Sequence, residues 1–161
     1  MIWIDSREKD HAIQRILRYF DSVGTKYFVS KLPVGDYMSL DNPRLVIDRK
    51  QNLSELCQNV CQDHKRFRSE LERANEYGIR LIILCEHGGA IRNLRDVIHW
   101  ENPRLKISPM AMSGERLYKV LAAMSKKYNV AFRFCQKSET GGRIMELLRS
   151  ERDANRFGPT S

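Results

Sequence analysis

A chain of 161 residues, 42% hydrophobic and 30% charged, is long enough for one domain with a core of its own and has an ordinary globular composition. Its net charge of +8 and pI near 9.5 suit nucleic acid or an acidic partner, or a basic surface that serves only solubility, and membrane surface ranks last because no basic amphipathic helix with aromatic anchors stands out. No apolar run approaches a membrane span, and Met-Ile-Trp-Ile passes at once into Asp5-Ser6-Arg7-Glu8, so no signal peptide is read and a cytoplasmic, nucleoid or nuclear location is expected.

Residues 2–5 read as a short buried strand ending in a carboxylate. Asp5 or Ser6 caps the following helix, or else Asp5 and Glu8 face a common site with acids farther along. The helix is expected over about 9–22, with Ile13, Ile16, Leu17 and Phe20 at helical spacing and Gly24 as its stop. Residues 26–31 read as a strand.

Residues 32–50 carry the main signal. Residues 36–40 and 44–50 form the arms of a hairpin, with Asp41-Asn42-Pro43 as its turn. Side chains alternate along a strand, so Asp48 and Lys50 leave one face and Arg49 the other. Asp36 opens the partner arm after Gly35, and the hairpin brings Asp36, Asp48 and Lys50 together. Two carboxylates and an amine on one rigid platform suit a magnesium-dependent phosphodiesterase, because carboxylates hold a hard cation and the amine orients or helps deprotonate water. The plain alternative is a cap, a turn residue and a solvated strand end. Tyr37 is read as packing or as lining a substrate groove.

A single long helix is expected over about 53–77, its apolar stripe running from Leu53 and Leu56 through Phe67 to Leu71 and Ala74. Glu55 suits the positive end of that helix dipole, or joins the outer shell of a metal site. Arg66 and Arg68 either approach phosphates or belong to a solvated face with Glu70 and Glu72. Of the four cysteines, Cys57 and Cys61 share a helical face with His64, but no fourth ligand of familiar spacing follows, so all four are read as reduced and mostly core.

Residues 79–85 form the strongest buried strand, nearly all apolar as strands covered on both faces are. Glu86 and His87 begin the loop at its end, where ligands sit in open α/β sheets, and Glu86 is a supporting candidate. A short helix over 91–98, loops over 100–109, a helix from Ser113, a strand at 130–134 and a last helix from Ser138 or Thr140 complete the pattern. One domain over 1–151 and a loose tail over 152–161 are expected.

Taken together, Asp5-Ser6-Arg7-Glu8, Gly35-Asp36-Tyr37, Asp48-Arg49-Lys50, Glu55, Arg66-Phe67-Arg68 and Leu84-Cys85-Glu86-His87-Gly88 resemble the XPF-type structure-specific endonuclease family of the restriction-endonuclease-like superfamily, over residues 2–150. The family pattern has Glu where Asp48 stands, and its downstream acid falls one residue before Glu55. Tandem helix-hairpin-helix and helicase domains, which family members often add, do not fit in this length, so a stand-alone nuclease domain or a piece of a longer chain is expected.

The resemblance implies an α/β fold with a central mixed sheet flanked by helices, and Mg²⁺- or Mn²⁺-dependent hydrolysis of DNA near flaps, forks or junctions. It implies metal ligation by Asp36 and Asp48 with Asp5 or Glu8, water positioning by Lys50, a functional role for Arg49, and support from Glu55 and Glu86. Arg7, Arg66, Arg68 and Tyr37 are the DNA-contacting candidates. It also implies pairing through the nuclease domain, as a homodimer or with a partner that supplies further DNA-binding elements. The alternatives are a non-catalytic DNA-binding or dimerisation module, and an unrelated α/β protein whose acids are caps.

Overall fold

The computed structural model describes residues 1–156, with side chains through residue 149. A single six-stranded sheet organises the chain. In chain order the elements are β1 (Ile2–Asp5), α1 (Asp10–Ser22), β2 (Tyr27–Ser30), β3 (Tyr37–Ser39), β4 (Asn42–Lys50), α2 (Leu53–Cys61), α3 (His64–Glu76), β5 (Arg80–Glu86), α4 (Gly114–Lys127), β6 (Val130–Cys135) and α5 (Thr140–Arg156). Two short 3₁₀ helices, Arg95–His99 and Pro103–Lys106, occupy the long connection before α4.

The strand order is β2-β1-β3-β4-β5-β6. β3 runs antiparallel to both β1 and β4, whereas β4, β5 and β6 are parallel. The C-terminal ends of β1, β4 and β5 therefore share one edge with the start of β3. That edge collects Asp5, Asp36, Asp48, Arg49, Lys50 and Glu86.

Strand alternation sorts the core into two layers. Val46, Leu81, Ile83, Phe132 and Phe134 pack with α2, α3 and α4 on one face. Leu45, Ile47, Ile82, Leu84 and Tyr37 pack with Ile13, Ile16 and Phe20 of α1 and Ile144 and Leu147 of α5 on the other. β5 is buried on both sides, which its unbroken apolar run requires. β6 is an edge strand.

The hairpin is tighter than its turn residues foretell. Ser39 pairs with Asn42, leaving only Leu40 and Asp41 as the loop, and Asn42 and Pro43 already belong to β4. The Ser39 hydroxyl accepts the Asp41 N–H at 3.2 Å and steadies the reversal. The expected 53–77 helix is two helices. Gln62 and Asp63 interrupt it, because no apolar side chain between Val60 and Phe67 holds that segment on the sheet, and Asp63 favours the end of a helix over its interior. The short helix expected over 91–98 is the 3₁₀ turn at Arg95–His99. Ser113 caps α4, its hydroxyl accepting the Arg116 N–H at 3.2 Å. α5 runs to Arg156, into the segment expected as a loose tail; residues 157–161 of that segment lie outside the described residues. No helix among the described residues is long and apolar enough to cross a membrane.

Candidate active site

Asp36 is built into the sheet by its backbone. Its N–H donates to the Ile47 carbonyl at 2.9 Å, and its carbonyl accepts the Asp5 N–H at 2.8 Å. Gly35 makes this approach possible. It sits at φ +71°, and a Cβ there would collide with Val46 Cγ1. The Asp36 carboxylate accepts the Arg49 backbone N–H at 2.8 Å, which aims it toward β4.

Asp48 and Lys50 leave β4 on the α3 face, as alternation requires. Asp48 Oδ2 lies 3.3 Å from Lys50 Nζ, yet that buried oxygen has no hydrogen-bond partner. Burial, and next the Asp48 carboxylate, push the Asp36 carboxyl well above the usual carboxylate range. Burial lowers the Lys50 ammonium, but Asp48, Glu70 and Glu55 outweigh it and leave Lys50 raised. Lys50 is thus a fixed positive charge at neutral pH, seated 5.8 Å from the Phe67 ring centroid. This favours orientation of water or phosphate over deprotonation.

Glu70, one turn beyond Phe67 on α3, also belongs to this cluster, whereas the sequence places it only on the solvated face that is one of two alternatives for α3. Burial and Asp48 raise its carboxyl, opposed by Lys50, the Gly35 backbone and Arg7. The signal was present: Glu70 interrupts the inward stripe Phe67, Leu71, Ala74 with an acid.

Arg49 leaves the other face and is almost fully buried. Its Nε donates to Glu8 Oε2 at 2.8 Å, and its Nη1 donates to Glu86 Oε1. Glu86 also accepts the Thr140 hydroxyl at 2.8 Å, and Glu8 accepts the Tyr37 hydroxyl at 2.7 Å. Burial opposes the Arg49 charge, but Glu8 and Glu86 hold it. Arg49 therefore ties the start of α1, the end of β5 and the start of α5 to β4.

Several candidates have other partners. Asp5 accepts the Leu32 N–H at 2.8 Å and Arg7 Nε at 2.8 Å, and Glu8 is held by Arg49 and Tyr37, so neither acid offers a free carboxylate to Asp36 and Asp48 in this structure. Tyr37 is fully buried and cannot line a DNA groove, a correction that follows from its inward position opposite Ile47 in the hairpin register. Glu55 serves the start of α2: its carboxylate accepts the Gln51 N–H at 2.7 Å, and its own N–H donates to Oδ1 of the N-cap Asn52 at 2.8 Å. Glu86 ends β5 and does not begin a loop. His87 Nδ1 accepts the Leu53 N–H at 3.3 Å, and burial lowers its pKa, so it serves the start of α2 as a neutral acceptor. Arg66 and Arg68 are exposed on α3, and Arg7 is largely exposed.

The donor set fits a hard divalent ion. Asp36 and Asp48 are adjacent carboxylates, and Asp48 supplies a buried oxygen without a hydrogen bond. Among the described residues no three His, Cys, Asp or Glu side chains converge as a closed metal cage. Such an ion would complete its shell with water and phosphate oxygens, which is how magnesium is commonly held.

A mixed sheet clad by helices on both faces, with acids and a lysine at one strand edge, is the restriction-endonuclease-like nuclease architecture. The ERCC4 domain model matches residues 4–148, and the chain belongs to that family of XPF-type nuclease domains. No curated protein matches the chain. Similar solved structures include XPF from Aeropyrum pernix, at TM-score 0.65 and 22% identity over 97% of this chain and 67% of that one. The same protein in complex with DNA gives TM-score 0.62 and 20% identity over 94% of this chain and 64% of that one. At this identity the likeness concerns the fold, and this chain spans about two thirds of those.

Proposed function

We propose that this protein is a divalent-metal-dependent DNA endonuclease acting at branched or flap-like structures. The carrying observation is the Asp36–Asp48 pair beside Lys50, with one Asp48 oxygen buried and without a hydrogen bond. Family membership supports hydrolysis of DNA, and the DNA complex of a structurally similar protein supports DNA as ligand.

Asp36 and Asp48 would hold Mg²⁺ or Mn²⁺, which when bound supplies Lewis acidity to the phosphodiester. Lys50, kept protonated by its acidic neighbours, holds water or a non-bridging phosphate oxygen in place. Glu70 stands near enough to act on both Asp48 and Lys50 and contributes a third carboxylate to the same face. Arg49 holds the strand end through Glu8 and Glu86 and leaves the reacting face to its neighbours. Arg7, Arg66 and Arg68 offer exposed positive charge to the DNA backbone, a contact that reads shape more than sequence.

The test is cleavage of end-labelled flap, fork, four-way-junction and plain duplex DNA with Mg²⁺, Mn²⁺ or EDTA. Wild type should cut near the branch only with metal, and Asp48→Asn and Lys50→Ala should each lose activity by on the order of 10²–10³-fold. Tight binding of branched DNA without cleavage in any metal would replace this reading with that of a binding module.

A further inference from the structure

A groove between α2 and the loop preceding α4 gathers sulfur. Cys57 and Cys61 stand one turn apart on α2, and Met110 and Met112 line the facing wall. The Cys57 and Cys61 Sγ atoms are 3.8 Å apart, and Cys61 Sγ lies 3.6 Å from Met112 Sδ. Metal–sulfur bonds of about 2.3 Å place two sulfurs about 4.0 Å apart at the trigonal angle of a three-coordinate ion and about 3.8 Å at a tetrahedral angle. The contacts, at 3.8 and 3.6 Å, fall within about 0.4 Å of those edges, close enough for small side-chain shifts to complete them, and Cys61 is common to both.

We propose that Cys57, Cys61 and Met112 form a site for a soft monovalent metal ion of the copper(I) class. The ligand chemistry selects it. Two thiols and a thioether are soft donors, which favour copper(I) over magnesium or calcium. Zinc is disfavoured, because its structural sites take four Cys, His or carboxylate ligands and no such third ligand joins the two cysteines among the described residues. His64 begins α3 and is exposed.

Access and charge also fit. Cys57 is buried, whereas Cys61 is exposed and opens the cluster to solvent. Burial and the Cys61 thiol hold Cys57 protonated, up to about 12, while Arg104 acts in the opposite direction. Binding would release the two thiol protons and leave the metal's oxidation state unchanged. Two thiolates around one monovalent cation carry a net negative charge, which Arg104 in the same groove offsets. The site uses none of the carboxylate cluster, so it stands or falls apart from the nuclease reading.

The experiment is anaerobic titration of the reduced full chain against the copper(I)–bicinchoninate complex, followed by loss of the chelator's colour. Wild type should withdraw copper stoichiometrically, and X-ray absorption should show a sulfur-only shell. Cys61→Ser should lose that withdrawal, and Met112→Leu should weaken it. Cys61 is exposed, so its variant should keep the wild-type circular dichroism, and the buried Cys85 and Cys135 remain as an internal control. Withdrawal unchanged in Cys61→Ser, no withdrawal by wild type, a shell containing nitrogen or oxygen, or zinc binding of equal strength would each overturn the proposal.

Discussion

The Arg49 backbone N–H donates to the Asp36 carboxylate at 2.8 Å, so the strand that carries Asp48 also sets the direction of its acidic neighbour. Two carboxylates are thereby held together at a cost the fold bears in the absence of metal. The Asp36 carboxyl titrates above its unfolded value, so its stabilising contribution is present below the ordinary aspartate range and is lost as pH rises through the folded value. Asp36→Asn should therefore abolish cleavage and raise the melting temperature of the metal-free protein at neutral pH. About 1 kcal/mol of relief corresponds to roughly 2–4 °C in a domain of this size. The gain should vanish near pH 3–4, at about the unperturbed aspartate value, where wild type is protonated too. Thermal melts of both proteins across pH check this, and a neutral-pH melting point equal to or below wild type would refute it.

Divalent metal should stabilise the wild type. An ion at ten times its dissociation constant adds about 1.4 kcal/mol to a protein that binds it only when folded. Differential scanning calorimetry with Mg²⁺ or Mn²⁺ should show an upward shift that Asp48→Asn lacks. Equal shifts in both proteins would place the ion elsewhere.

Glu70→Gln isolates the acid contributed by α3. The change keeps the side chain's shape and removes its charge beside Asp48 and Lys50. Cleavage should fall by roughly tenfold or more, the scale on which a positioned acid–base group acts, while the folded state is retained. A variant as active as wild type would confine Glu70 to packing.

Arg49→Ala tests a different kind of residue. It strips the partner from Glu8 and Glu86 and leaves their carboxylates buried without it. Removing one member of a buried ion pair costs about 3–5 kcal/mol. Urea denaturation should register a loss of that size; less than about 1 kcal/mol would show that the network is not structural.

Gly35→Ala should also destabilise, because alanine at positive φ costs about 1–2 kcal/mol before any collision with Val46 is relieved. Relief requires β3 to move, and Asp36 moves with it. Cleavage should fall with stability, and full activity would show that the approach of Gly35 to β4 is dispensable.

Much of this arrangement was legible in the chain because it rests on short-range rules. Alternation along residues 44–50 places Asp48 and Lys50 opposite Arg49, and the apolar run at 79–85 marks the twice-covered strand. Elements whose form depends on distant packing were harder to read. Leu53–Ala74 has a nearly continuous stripe, yet the sheet is contacted by two helices and the polar Gln62–Asp63 step yields between them. Tyr37 resembles a groove residue until Glu8, from the turn that follows β1, accepts its hydroxyl. Asp5 and Glu8 carry the right chemistry for a metal, and only three-dimensional proximity reveals that Leu32, Arg7 and Arg49 already engage them. Glu70 was hidden by the ordinary expectation that a helix rich in charge pairs its acids with its own basic residues.

The division of three consecutive β4 side chains between opposite layers has an evolutionary corollary. Asp48 and Lys50 face the surface proposed to hold the metal, whereas Arg49 closes an ion network that ties three further elements to β4. Descendants that abandoned cleavage for scaffolding would be free to drift at the first and third positions while selection for folding alone retained the middle one. An intact arginine between altered neighbours would then be the fossil of an ancestral nuclease.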